Sequence, residues 1–272
     1  MTKKNEHWIL IRGLAREARH WSDFPEQLER GLKSAGIEAR IDCIDLPGAG
    51  RFSEMKAPLT IAEMTEFVRG KYLEIRRQIR ESGQTPPQMT RLVSISLGGM
   101  VASDWLQRWP TEFSGAVLMN TSFKGFSPAY RRLKPLAMKK LIKVIAMPDP
   151  LQRETEVLRL ISNREDLVSK TAKEWARFAD ERPVTRENFA RQLLAATLFK
   201  PAQTPPAAPI LVLGSEKDRM VDQACSKTIA RKWATDYETH ETAGHDLTLD
   251  APEWTVEKIV AWDLGLNEMP AV

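Results

Sequence analysis

The sequence predicts an α/β fold: a mostly parallel, doubly wound sheet with a helical cap inserted late in the chain. Three observations carry this. Short apolar runs alternate with helical patterns from residue 7 to about 120. The strand pattern then disappears between Phe123 and about Phe199. It resumes at Ile210. Short buried strands separated by helices are the mark of a parallel sheet covered on both faces. The predicted division is a core of residues 1–122 and 200–272, with a cap over 123–199.

Each element has its own signal. His7-Trp8-Ile9-Leu10-Ile11-Arg12 is an apolar run stopped by Gly13, which reads as a buried strand. Phe24, Leu28 and Leu32 fall at helical spacing, and Gly36 closes that helix. Ile37 to Ile44 alternates apolar and polar residues as a second strand, and the loop Asp45-Leu46-Pro47-Gly48-Ala49-Gly50 follows. Thr60-x-x-Glu63 is a capping box. It opens a helix with Ile61, Met64, Val68, Tyr72, Ile75 and Ile79 on one face. A polar loop, Glu81 to Thr90, precedes a strand at Arg91 to Ile95, a sharp turn, and a helix ended by Pro110. Gly115 to Asn120 is the next strand. Prolines at 128, 135, 148, 150 and 183 divide the cap into several helices. After a proline-rich connector come a strand at Ile210 to Gly214, a helix from Ser226 to Trp233, a strand from Thr235 to Glu241 and a helix from Pro252 to Trp262.

Composition narrows the functional classes. The chain is 42% hydrophobic and 28% charged, as in a globular protein. Its net charge of +4 comes from positive residues interleaved with Asp and Glu, so nucleic-acid binding is not expected. Cys43 and Cys225 have no metal-ligand spacing, and two isolated cysteines fit a reducing compartment. The polar start Met1-Thr2-Lys3-Lys4-Asn5-Glu6 leads into no apolar signal core, and no stretch is long enough to span a bilayer. A cytoplasmic monomer or homodimer follows as the expectation, with no metal, no cofactor and no stable membrane association.

The chemistry-bearing residues lie at three places. Ser94-Ile95-Ser96-Leu97-Gly98-Gly99 sits where a buried strand turns into a helix, which lifts Ser96 clear of the backbone beside a helix N-terminus. The turn is tight, so small residues are needed two before and two after Ser96; Ser94 and Gly98 meet that need. Gly214-x-x-x-Asp218-x-x-Val221 follows a late strand, and Ala243-Gly244-His245 follows the last one. A serine hydroxyl needs a histidine to take its proton, and that histidine needs a carboxylate to fix its tautomer.

In these motifs, with Arg12-Gly13 and Asp45-Leu46-Pro47-Gly48-x-Gly50, the chain from about residue 7 to 265 resembles the α/β-hydrolase family. The resemblance implies Ser96 as nucleophile, Asp218 as acid and His245 as base. It implies backbone oxyanion donors at Leu14 and Leu97, and a cap that selects the substrate. The order Ser, Asp, His is that of the fold. The family's first two edge strands are absent by this reading.

One departure is Arg12, where many relatives carry histidine. Arg12, Arg16, Arg19 and His20 together are candidates to read a carboxylate or phosphate, against solvated loop charges that pair with Glu17. Trp175 and Phe178, with Met138 and Met147, are candidates to line the pocket, against plain cap core. Glu216 and Asp222 rival Asp218, although Asp222 reads better as a helix N-cap. His240 rivals His245 but lies inside a strand, and His7 reads as structural. Arg131, Arg132, Lys134, Lys139, Lys140 and Lys143 form a basic stretch that suits an acidic partner or a solvated helix face. The expected activity is hydrolysis of a small or medium-sized ester or thioester through an acyl-Ser96 intermediate. The alternatives are C–C hydrolysis, lyase or haloperoxidase-like chemistry on the same fold, and a non-catalytic ligand-binding protein.

Overall fold

A computed structural model describes residues 4–87 and 89–268. The polar N-terminal residues 1–3 and Gln88 of the expected 81–90 loop lie outside the described residues. The elements run β1 (Lys4–Ile11), α1 (Phe24–Ser34), β2 (Ile37–Cys43), α2 (Ile61–Glu81), β3 (Met89–Ile95), α3 (Leu97–Arg108) and β4 (Gly115–Met119). Five helices follow: α4 (Ala129–Arg132), α5 (Pro135–Ala146), α6 (Pro150–Ile161), α7 (Glu165–Glu181) and α8 (Arg186–Leu198). The chain closes with β5 (Ile210–Ser215), α9 (Ala224–Trp233), β6 (Asp236–His240), α10 (Leu247–Asp250) and α11 (Pro252–Glu268).

The six strands form one sheet in the order β2-β1-β3-β4-β5-β6, and every pairing is parallel. Side chains alternate across it, as the two-residue period of a strand requires. Ile9, Ile11, Leu92, Leu118 and Val212 pack with α2, α3 and α9 on one face. Trp8, Leu10, Val93, Val117 and Leu213 pack on the other, against Phe24, Leu28 and Leu32 of α1 and Ile259 and Trp262 of α11. The helix α11 runs past its expected end at Trp262, and Leu266 packs against that second layer.

The helices between β4 and β5 have a separate core. Leu141 and Val144 of α5, Leu158 and Ile161 of α6, and Ala172 and Trp175 of α7 pack with Met220, Val221 and Cys225 from the β5–α9 segment. Backbone contacts also join this block to the sheet: the Asp246 N–H donates to the Ile161 carbonyl at 2.9 Å.

Candidate active site

The turn between β3 and α3 holds Ser96 at φ 56° and ψ −119°, a left-handed conformation that a serine adopts only under constraint. The constraint is the close passage of two backbones. A Cβ on Gly98 would stand 2.4 Å from the Ile11 carbonyl oxygen and 2.6 Å from that of Arg12, so only glycine fits. Ser94, in place of the family's first glycine, is tolerated because its hydroxyl donates to the Val117 carbonyl at 3.1 Å. Gly13 packs directly against Ser96, which brings the Gly13-Leu14 turn beside the hydroxyl. Neither the Leu14 nor the Leu97 N–H has an acceptor among the described residues.

Asp218 follows β5 and is held from two sides. Its Oδ1 accepts the Met220 and Val221 N–H groups at 2.7 and 2.9 Å, and its Oδ2 meets His245 Nδ1 at 2.7 Å. Asp218 and His245 are both buried. Burial opposes protonation of His245, but the charge and hydrogen bond of Asp218 outweigh it, so the pKa stands above its ordinary value of 6.5. Ser96 and His245 open onto one cavity of about 380 Å³. The Ser96 hydroxyl makes no hydrogen bond to His245 among the described residues; only the shared cavity brings them together.

The rival residues lie elsewhere. His240 Nδ1 accepts the Thr242 and Ala243 N–H groups and fixes the turn after β6. His7 pairs with Asp42 at 2.8 Å. Asp222 Oδ1 accepts the Ala224 N–H at 2.9 Å, but the N-cap of α9 is Gln223, one residue beyond the expected Asp222, and α9 starts two residues earlier than the apolar pattern indicated.

The arginine-rich loop after β1 is spent on internal pairing. Arg12 is buried and bidentate to Asp246, at 2.5 and 3.2 Å, with its guanidinium 4.7 Å above the Trp21 ring. Arg16 pairs with Glu154 of α6 at 2.6 Å, and Arg19 pairs with Glu17 and Glu181. Burial, with Arg16 and Arg12 nearby, holds the His20 pKa well below 6.5, so His20 is neutral. This corrects the expectation of a cationic reader built from Arg12, Arg16, Arg19 and His20: the three arginines already face carboxylates. Arg12, Arg16, His20 and Phe178 do line the cavity, whereas Trp175 is sealed behind His20, with ring centres 4.7 Å apart.

Several residues that hold the site were not singled out in the sequence. Asn120, at φ 45°, donates to the His245 carbonyl at 2.9 Å and to Ser215 Oγ at 2.8 Å. Asp250 accepts from Ser162 Oγ, the Asn163 N–H and the Gly244 N–H at 2.5, 2.8 and 2.6 Å. Asp45, which the sequence marked only as the start of a loop motif, accepts the Ala18 and Arg51 N–H groups and ties the 45–50 loop to the loop after β1. The inner walls of the cavity are aliphatic, with Leu141, Val144, Val157, Ile161 and Met220.

A family model described as "Alpha/beta hydrolase family" matches residues 8–258, and the chain belongs to that family. No curated protein matches the chain in sequence. Solved structures share its fold. One is described as a "Putative non-heme bromoperoxidase" from Mycobacterium tuberculosis, 20% identical, covering 96% of this chain and 92% of its own, TM-score 0.69. Another is a 2-hydroxy-6-oxo-6-phenylhexa-2,4-dienoate hydrolase from Rhodococcus, 15% identical, covering 95% and 90%, TM-score 0.71. A third is a thermophilic esterase from Thermogutta terrifontis, 17% identical, covering 97% and 92%, TM-score 0.69.

Proposed function

We propose that the chain hydrolyses a carboxylic ester or thioester of small or medium size through an acyl-Ser96 intermediate. The observation that carries this is the buried Asp218–His245 pair opening onto the same cavity as a strained Ser96. His245 takes the Ser96 proton as Oγ attacks the carbonyl carbon, and the oxyanion accepts from the Leu14 and Leu97 N–H groups at the N-terminus of α3. His245 then gives the proton to the departing alkoxide or thiolate. Water repeats the sequence on the acyl-enzyme, and the acid leaves. Asp218 holds the imidazole with Nδ1–H toward itself and Nε2 free for the exchange.

The helices α4 to α8 act as the cap. They supply the aliphatic walls of a cavity whose size suits a ligand of small or medium bulk. The fold's relatives bear esterase, C–C hydrolase and bromoperoxidase names, so the reaction has to be read from the chemistry of the site. A fluorophosphonate probe should label the wild type and fail on Ser96→Ala with Ser94 intact. Acyl p-nitrophenyl esters and acyl-CoA thioesters of graded chain length should then be turned over. Undiminished labelling of Ser96→Ala sinks the proposal.

A further inference from the structure

We propose that the outer face of α5 is an adsorption surface for an anionic lipid interface. The three most exposed large hydrophobic side chains among the described residues lie within thirteen positions of one another: Tyr130 at 61%, Leu136 at 65% and Ile142 at 61%. In α5 the buried stripe is Ala137, Leu141 and Val144. At 3.6 residues per turn, Leu136, Lys139, Ile142 and Lys143 occupy the opposite arc. Aliphatic and cationic side chains are therefore interleaved on a face turned to solvent.

A merely solvated helix face looks different, and the neighbouring α7 provides the contrast. Its exposed positions are Glu165, Asp166, Ser169, Lys170, Lys173, Glu174, Arg177, Asp180 and Glu181, mixed in sign and without a large hydrophobic residue. From Phe123 to Pro148 the chain has no Asp or Glu at all. Arg132 and Lys134 in that stretch are engaged by carbonyls of Ala196, Thr197 and Asp218. Lys139, Lys140 and Lys143 have no hydrogen-bond or ion-pair partner among the described residues.

Charge complementarity names the occupant. A second copy of this chain would set the unpaired lysines of one α5 against those of the other. An anionic leaflet accepts both halves of the pattern: lysines reach the phosphates while Leu136 and Ile142 enter the acyl boundary. Two aliphatic side chains and a few lysines make a reversible contact, not a stable anchor, which fits the expectation of no stable association. The inner face of the same helix lines the cavity with Leu141, Val144 and Ile145, so adsorption would bring the cavity to the interface.

Flotation with vesicles tests this without any turnover, so its outcome is independent of the ester reading. The probes are phosphatidylcholine vesicles with and without phosphatidylglycerol. Wild type should float with the anionic vesicles, release at raised salt, and stay behind with phosphatidylcholine alone. Lys139→Gln/Lys143→Gln should partition more weakly by roughly fivefold per charge, about 25-fold for the pair. Leu136→Ser/Ile142→Ser should lose about tenfold or more. The core control Lys33→Gln/Lys227→Gln, which makes the same charge change elsewhere, should float like wild type; circular dichroism checks that each variant is folded. Failure of the wild type to float overturns the proposal, as does equal loss in the control. So does a wild-type dimer on size exclusion that Leu136→Ser/Ile142→Ser dissolves, because the face would then be a self-interface.

Discussion

Arg12 and Asp246 form a buried, bidentate ion pair in the wall of the cavity. Arg12 immediately precedes the Gly13-Leu14 turn, and Asp246 immediately follows His245. The pair thus joins the loop that carries Leu14 to the loop that carries His245. Burial disfavours the Asp246 carboxylate, but the Arg12 charge and hydrogen bonds outweigh it and hold its pKa below the usual carboxylate value.

Breaking either half should be expensive, because the survivor is a buried charge without its partner. Asp246→Asn and Arg12→Met should each lose about 3–5 kcal/mol of stability. Their effects on His245 should run in opposite directions, since Asp246 raises its pKa and Arg12 lowers it. The acid limb of kcat/KM should move to lower pH in Asp246→Asn and to higher pH in Arg12→Met. Denaturant unfolding and pH–rate profiles check both. Limbs that move together would show that the pair acts on structure alone.

In the proposed mechanism the reactive form of His245 is neutral. Its pKa is raised, so activity should fall away on acidification with a midpoint above 6.5. A profile of kcat/KM on a substrate that does not titrate in that range measures this directly.

Asp218→Asn should keep the fold but reduce turnover about 10⁴-fold, as in a serine protease whose imidazole is left in the wrong tautomer. Asp222→Asn should cost little, because an asparagine oxygen also accepts the Ala224 N–H. Turnover on one activated ester, beside the thermal midpoint of each variant, compares two changes of equal charge. The reverse ranking would move the acid to Asp222.

A second buried cluster concerns stability. Glu6, sealed between β1 and α11, has its pKa raised to about 7 by burial and by the neighbouring Asp263 charge, against the opposing pull of Arg91. The Arg91 guanidinium lies 4.0 Å from Glu6 and 2.6 Å from Asp263. The folded state therefore holds this proton longer than the unfolded chain. The contribution is full below pH 4.5 and is lost as pH rises through about 7. Glu6→Gln should flatten the fall in thermal midpoint over that window; an unchanged slope would assign the fall to other groups.

The order and type of the elements were legible because strands and helices differ in period. Ile9 and Ile11 stood out in a short apolar run stopped by a glycine, and the α2 face needed only helical spacing. The placement of the candidate residues was legible where the signal is local: Ser96 in its turn, His245 after Gly244. Pairings across long stretches of chain were not. Nothing in the sequence joins Arg12 to Asp246 or Asn120 to the His245 carbonyl, since each bond depends on loops that meet only once the sheet has formed. The same limit hid Glu154 of α6 as the partner of Arg16. It also made Trp175 look like pocket lining when it is packing.

The Ile161 carbonyl and the Asp250 carboxylate bind the end of α6 to the backbone on both sides of His245. A Cβ on Gly244 would stand 2.6 Å from that same carbonyl oxygen, so the two segments are in contact along their length. The consequence is one of modularity. The helices that shape the cavity and the loop that positions the base are not separable parts. A chimera that exchanges 123–199 for the corresponding segment of another family member will carry its new specificity only if Ile161, Ser162 and Asn163 travel with their acceptor and donor geometry intact. In such a lineage, change in substrate preference is most easily accommodated by side-chain substitution on α5 and α8, which leaves that seam alone.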